Sequence, residues 1–354
     1  MRTIRITGTG SALPGRIVTN KELEQLVETS DEWIRERTGI AERHVSVGET
    51  VVTLASEAAR KALEQAGKRA EEIDLILVAT CSPEQYLPCC ACQVQAAVGA
   101  VNALAFDVNA ACSGFLFALN TADAYLRTGL AKNALIIGSE VLSKLVDWKD
   151  RGSCILFGDG AGAVVVERCR TESRAVEYSN ALPAAEEKRI PAAGILGRAL
   201  HSDGTGGGVL QCGARELTTP YARTSAAKTD QNQPTDGREH YIQMDGQEVY
   251  RFATRRVPQC IEEALSDAGL AVPDIDMFVL HQANARIIDA VAKRLHADRD
   301  KFPTNLERVG NMSSASIPVL LDELNRQRKL HRGDRIVLAG FGAGLTIGAC
   351  VMTW

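Results

Sequence analysis

Apolar and polar positions follow two rhythms along this chain. Short aliphatic runs, LILVAT at 75–80, ALIIGS at 134–139, AVVVE at 163–167, MFVLH at 277–281 and RIVLAG at 335–340, read as buried strands. Between them the apolar positions recur at helical spacing. Leu54, Ala58, Ala62 and Leu63 share one face, and Ile287, Ile288, Val291, Ala292 and Leu295 share another. The opening MRTIRITGTG alternates, which reads as a strand and not as the apolar segment of a signal peptide. Strands alternating with helices predict the α/β class.

The chain also repeats itself at a single shift. KALEQAG ends at Gly67 and EALSDAG at Gly269; Ile73-Asp74 matches Ile275-Asp276; Asn109 matches Asn311, and Gly138 matches Gly340, all 202 residues apart. Independent coincidences would not share one offset, so two halves of similar fold are expected, 1–172 and 173–354, with functional groups at their seam. The stretch at about 175–240, with GTGGG at 204–208 and a polar run at 224–240, breaks the order and reads as long surface excursions in the second half. A surface loop and a substrate lid both fit it.

Composition narrows the functional classes. At 354 residues the chain has room for about two domains. The net charge of −4 and the 5% aromatic content argue against nucleic acid as a partner, since phosphates need surplus Lys and Arg and bases need rings to stack on. No run approaches the roughly 20 apolar residues of a membrane helix, so a cytoplasmic protein without a membrane partner is expected. The ten cysteines then read as reduced thiols. CCAC at 89–92 contains one CxxC with no second pair, so buried small side chains are preferred to zinc and no metal is expected.

Cys112 stands out among those thiols. It follows the strand-like LAFDVN and precedes a helical pattern of Phe115, Leu119, Ala122 and Leu126. A thiol at a helix N-terminus is favoured as thiolate, and the free N–H groups there suit an oxyanion. Ala110, Ala111 and Gly114 leave room for a substrate. His281 ends a strand, where open α/β sheets place ligands. Asn311 on its own reads as a turn residue, but the repeat sets it opposite Asn109, beside Cys112. GFGAG at 340–344 lacks the Lys-Ser/Thr of a phosphate loop and reads as a turn that lets backbone approach the cysteine. GDGAGAVVVE at 158–167 reads as close packing.

NAACSGF at 109–115, HQAN at 281–284, GNMSSAS at 310–316 and GFGAG, with DEWIRERTGI at 31–40 and DRGSCILFGDGAGA at 150–163, resemble β-ketoacyl-acyl carrier protein synthase III, in order and over nearly the whole chain. The resemblance implies a thiolase fold, two pseudo-symmetric halves in a five-layered αβαβα arrangement, as a homodimer. It implies that Cys112 takes an acyl group from acyl-CoA, and that His281 and Asn311 hold the thioester oxygen of malonyl-acyl carrier protein as it loses carbon dioxide and condenses. The product is 3-ketoacyl-acyl carrier protein, at the initiating step of fatty acid synthesis. The N–H groups of Cys112 and Ala343 are implied as oxyanion hole. Trp33, Arg37 and Arg151 match positions that hold the CoA adenine and phosphates, and Met244, Gly246, Asn284 and Arg286 match the pantetheine tunnel. Leu87 matches a residue that the neighbouring subunit lends to the acyl pocket. Arg251, Arg255, Arg256, Lys293 and Arg294 form a basic excess suited to an acidic carrier protein. No cofactor is implied, acyl-CoA being a substrate.

Other readings are weaker on the same residues. A thiolase needs a second cysteine near the C-terminal glycine turn, and none lies in 340–346; elongating condensing enzymes carry histidine where Asn311 stands. A starter synthase of a polyketide or other secondary pathway shares the trio and is the alternative. A cysteine hydrolase and a non-catalytic partner subunit remain as readings from other classes, separated by whether Cys112 becomes acylated.

Overall fold

The computed structural model describes residues 2–170, 194–214 and 240–354. The first half runs β1 (Arg2–Ala12), β2 (Arg16–Thr19), α1 (Asn20–Leu23), α2 (Asp31–Thr38), β3 (Glu42–Val45), α3 (Val51–Ala66), β4 (Leu75–Ala79), α4 (Cys90–Val98), β5 (Leu104–Val108), α5 (Gly114–Thr128), β6 (Asn133–Val141) and β7 (Asp159–Arg170). The second runs β8 (Gly194–Ser202), β9 (Leu210–Gln211), β10 (Gln243–Met244), α6 (Gly246–Ala268), β11 (Met277–Leu280), α7 (Ala285–Arg294), α8 (Leu306–Val309), α9 (Ser316–Arg326), β12 (Arg335–Gly342) and β13 (Thr346–Thr353).

The larger sheet has the order β1-β7-β6-β4-β5 and the smaller the order β8-β13-β12-β11. Their registers repeat: Leu75 faces Ala134 in the parallel pair β4–β6, and Met277 faces Ile336 in β11–β12, which is the 202-residue shift in space. α3 and α6 both end on a left-handed glycine, Gly67 and Gly269, the usual way for a helix to stop where its last carbonyls need partners. α5 and α9 lie between the sheets in one apolar core with Phe115, Leu119, Leu320 and Leu324. A second core joins α3 and α4 to the outer face of the larger sheet, and a third joins α6 and α7 to the smaller. The result is the expected five layers.

Two buried carboxylates lock the halves. Asp123 on α5 pairs with Arg198 on β8 at 2.6 Å, and Asp322 on α9 accepts from Thr9 and Ser11 on β1 at 2.7 and 2.6 Å. Close approach in the middle needs missing side chains: a Cβ on Gly138 would stand 2.2 Å from Ser314 O, and one on Gly162 2.4 Å from Val319 N.

One expectation is corrected. Within 175–240, Gly194–Ser202 is no excursion: it pairs antiparallel with β13 as an integral strand of the smaller sheet. Its apolar residues Ile195, Leu196, Ala199 and Leu200 are interrupted by Gly197 and Arg198, so its strand character is weak locally and comes from its neighbour. GTGGG forms a short 3-10 helix within Gly204–Val209. Residues 171–193 and 215–239, including the expected boundary at 172/173 and most of the polar run, lie outside the described residues.

Candidate active site

Two turns of one construction face the seam. The Asn109 side chain accepts from Ala111 N at 3.3 Å, and that of Asn311 accepts from Ser313 N at 2.8 Å. Each turn then passes through a non-glycine residue of positive φ, 46° at Ala111 and 47° at Ser313, into a 3-10 turn and a buried helix. Such residues cost about 1 to 3 kcal/mol each and persist only where the surrounding fold imposes them. Here the strain carries Cys112 to the start of α5. Ser113 Oγ fastens that turn, 2.8 Å from Ala110 O and 2.7 Å from Thr346 Oγ1. Gly342 makes room for it, since a Cβ there would lie 2.6 Å from Cys112 N.

Asn311 is pinned on both sides of its peptide. Its N–H donates to Leu156 O and its carbonyl accepts from Gly158 N, both at 2.9 Å. Because its Oδ1 is already bound to a backbone N–H, its Nδ2 is the end left to donate. The turn reading and the functional reading of Asn311 therefore hold together: the turn is what aims the amide.

His281 continues β11 by one residue, its N–H donating to Ala339 O at 2.8 Å. The ring meets Phe341 edge-on, centroids 5.7 Å apart, and a Cβ on Gly340 would lie 3.3 Å from the His281 Cβ. Nδ1 is buried without a partner. An orphaned N–H is rarer than an orphaned lone pair, so hydrogen-bond accounting assigns the proton to Nε2. Burial lowers the imidazole to about 3, which keeps it neutral.

Cys112, His281 and Asn311, exposed by only 8%, 3% and 8%, line one cavity of about 1230 Å³. Its wall includes Phe157 and Phe341, which local spacing had not singled out as functional, and Gly342 of the GFGAG turn; Gly342, not Ala343, is the small member of that turn that reaches the lining. The expected thiolate is corrected. Burial pushes the Cys112 thiol up to about 12, the nearby Ser313 hydroxyl acting against the rise and the Glu140 carboxylate adding to it. Removing water from the sulfur outweighs the helix terminus, so the resting pair is neutral thiol and neutral imidazole.

The cavity opens between α2, α6 and α7. Trp33, Arg37, Met244, Gly246, Asn284 and Arg286 all line it. Arg151 lies over the Trp33 ring, 4.4 Å from its centroid, with Arg37 at 5.7 Å. Asn284 caps α7, its Oδ1 accepting from Arg286 N and its Nδ2 donating to Arg37 O. Arg251 is at the rim, ion-paired with Glu248, and Arg255, Lys293 and Arg294 are exposed on α6 and α7. Arg256 is half-buried and donates to Gln259 at 3.1 Å. Leu87 does not line this cavity; it is 84% exposed, before α4. In CCAC, Cys90 is buried and Cys92 exposed, and no group of three or more metal-binding side chains occurs among the described residues. No helix among them is long and apolar enough to cross a membrane.

Comparison with known proteins agrees with this arrangement. Residues 106–181 match the family model for 3-oxoacyl-[acyl-carrier-protein (ACP)] synthase III, and residues 265–354 match the model for its C-terminal part. The β-ketoacyl-[acyl-carrier-protein] synthase III of Clostridium acetobutylicum is 44% identical over all of this chain and 99% of its own. The crystal structure of 3-oxoacyl-[acyl-carrier-protein] synthase III from Aquifex aeolicus superposes with a TM-score of 0.84 at 38% identity, covering 99% of this chain and 100% of its own. The priming β-ketosynthase of the R1128 polyketide pathway gives 0.84 at 33% identity, over 99% and 96%. With full-length relatives at this identity, the chain belongs to the β-ketoacyl-acyl carrier protein synthase III family.

Proposed function

We propose that this chain joins an acyl-CoA starter to malonyl-acyl carrier protein by decarboxylating condensation, with Cys112 as acyl carrier. The observation that carries the reading is the convergence on one cavity of a helix-terminal thiol and two neutral donors, His281 Nε2 and Asn311 Nδ2. In the first step the Cys112 sulfur attacks the acyl-CoA carbonyl, the bond to the CoA sulfur breaks, and the thiol proton leaves on CoA. The backbone N–H of Cys112, with that of Ala343, would hold the transient oxyanion. In the second step the malonyl carboxylate leaves as carbon dioxide, and its bonding pair forms an enolate whose oxygen is held by His281 and Asn311. The enolate carbon then attacks the acyl-cysteine, and the freed Cys112 sulfur regains a proton. Neutral donors suit this charge because they stabilise it only as it develops.

Trp33, Arg37 and Arg151 offer a ring and two guanidinium planes for the adenine and phosphates of CoA, and the tunnel past Met244, Gly246, Asn284 and Arg286 would take pantetheine. Arg251, Arg255, Arg256, Lys293 and Arg294 would attract an acidic carrier protein. A second copy of the chain would complete the pocket. Among the described residues β5 is an unpaired sheet edge with Leu104 53% exposed, and Leu87, before α4, is exposed and free to enter a partner. The nine cysteines other than Cys169 are free thiols, which supports a reducing, cytoplasmic setting.

Intact-protein mass spectrometry after incubation with acyl-CoAs tests the reading. The expected result is a single acyl adduct on Cys112, absent in Cys112→Ser. An adduct on Cys89, Cys90 or Cys92 with Cys112 unlabelled would refute it.

A further inference from the structure

Arg43 on β3 is a completely buried cation that the two-step reaction does not use. Among the described residues no carboxylate forms an ion pair with it, and its Nε is without a partner. Burial lowers the guanidinium only to about 10, so it stays charged near neutral pH. A buried cation without a counter-ion is costly, and the oxygens it does hold belong to separate segments. Nη1 donates to Asn20 Oδ1 at 2.8 Å and to Val18 O at 3.3 Å, and Nη2 donates to Ile155 O at 2.7 Å. Ile155 leads directly into the residues that pin Asn311: Leu156 O accepts from Asn311 N, Phe157 is bridged to Asn311, and Gly158 N donates to Asn311 O. The Arg43 stem packs against the same place, since a Cβ on Gly158 would lie 3.3 Å and one on Gly310 3.2 Å from the Arg43 Cβ. Asn20 in turn spans α2. Its Nδ2 donates to Asp31 Oδ1 at 2.9 Å, at the first residue of the helix, and to Ile40 O at 2.8 Å, just past its end. α2 carries Trp33 and Arg37 to the mouth of the cavity.

We propose that Arg43 is a positioning residue of the condensation: its guanidinium ties the segment that aims the Asn311 amide to the helix that carries Trp33 and Arg37, so that both substrates meet one frame. This rests on the reading of Asn311 as a donor to the enolate of the malonyl thioester. A guanidinium suits the task because its donors are fixed in one planar fork. With Asn20 Oδ1 on one nitrogen and Ile155 O on the other, the fork sets the spacing of the two segments, which the rotating donors of an ammonium would not. Donors to a developing charge are sensitive to small displacements, a shift of about 1 Å costing up to about a hundredfold in rate. Without the fork the peptide group of Ile155 is released beside Leu156, and the Asn311 amide loses its aim. The Cys112 turn keeps its own fastening, from Ser113 Oγ to Ala110 O and Thr346 Oγ1. The two half-reactions therefore depend on Arg43 to different degrees.

The test is a double-mutant cycle in the full chain, with Arg43→Met, Asn311→Ala and the two combined. Release of labelled carbon dioxide from malonyl-acyl carrier protein reads decarboxylation, and rapid-quench intact mass reads acylation of Cys112. Arg43→Met should slow decarboxylation about ten- to a hundredfold, raise KM for acyl-CoA several-fold through α2, and leave acylation at saturating acyl-CoA within a few-fold of wild type. With Asn311 already truncated, Arg43→Met should change decarboxylation by no more than a few-fold, because its effect passes through that amide. A merely structural role would lower both half-reactions together and multiply with Asn311→Ala. Either of those results overturns the proposal, as does an unchanged decarboxylation rate or an unchanged KM. Should Arg43→Met fail to fold, Arg43→Lys, which keeps the charge and loses the fork, decides by the same cycle, an equal loss with and without Asn311 overturning it. The wild type separates the two readings. If it releases no carbon dioxide, the function reading fails and takes this role with it; if it is active and the cycle is additive, the role of Arg43 fails alone.

Discussion

Truncating Asn311 to alanine should separate stability, acylation and decarboxylation, because its amide has two ends with different tasks. Oδ1 accepts from the buried Ser313 N–H at 2.8 Å. Removing that acceptor leaves a backbone donor unsatisfied in a turn already strained at Ser313, a loss of about 1 to 3 kcal/mol in unfolding free energy. Nδ2 is one of the two donors proposed for the enolate. Removing a single oxyanion donor typically costs about 100- to 1000-fold in rate, or roughly 3 to 4 kcal/mol of barrier. Acylation by acyl-CoA uses neither end and should change by no more than a few-fold. Release of labelled carbon dioxide from malonyl-acyl carrier protein reports decarboxylation, rapid-quench intact mass reports acylation, and urea unfolding reports stability. Asn311→Asp then divides the two ends: a carboxylate keeps the bond from Ser313 N–H, restoring stability, but offers no donor to the enolate. The division of roles fails if acylation in Asn311→Ala falls as far as decarboxylation, or if Asn311→Asp recovers the decarboxylation rate.

His281 should make the fold acid-sensitive. With its folded pKa held near 3 and its unfolded value near 6.5, the unfolded chain binds the extra proton in that window. Stability therefore falls as pH drops from about 6.5 toward 3, by up to about 1.4 kcal/mol per pH unit, and urea unfolding at several pH values should show the slope reduced in His281→Gln. Reversing charge at Arg251 or Lys293 should raise KM for malonyl-acyl carrier protein several-fold, with added salt mimicking the change, while acyl transfer from CoA stays near wild type. Leu87 should set starter length if a second copy lends it to the pocket: one methylene is worth about 1 to 3 kcal/mol of discrimination. Leu87→Phe should then shift kcat/KM from butyryl- and isobutyryl-CoA toward acetyl-CoA, and identical chain-length profiles would remove Leu87 from that role.

What the chain reveals without a structure follows from which interactions are local. Buried parallel strands such as LILVA need apolar side chains on both faces, and every residue of β4 is buried, so continuous apolar runs were enough to find them. β8 escaped because its partner, β13, is about 150 residues away in sequence and supplies the pairing that its own composition does not announce. The candidate trio was visible because each member ends a strand or opens a helix in a motif with small neighbours. The state of Cys112 was not, because the helix terminus is a local feature whereas burial depends on elements from the other half. Phe157 and Phe341 were hidden for the same reason: within ILFGDG and AGFG they look like ordinary core residues, and only the pairing of Phe157 with Asn311 shows the former at the cavity.

Glu140 is the clearest case of a residue whose meaning depends on its symmetry mate. Read alone, a single acid at the end of ALIIGSEV is a strand terminus reaching for water. The repeat aligns it with Gly342, and the structure shows what stands at each position: glycine leaves room for the backbone of Cys112, and glutamate fills the corresponding space beside Ser314 with a carboxylate that accepts from Thr80, Cys81, Ser82 and Ser314. A duplicated fold begins with two equivalent ends of one seam. With one end open and the other closed, Cys112 from one half and His281 and Asn311 from the other line the same cavity, so neither half alone holds the three groups proposed to carry the condensation.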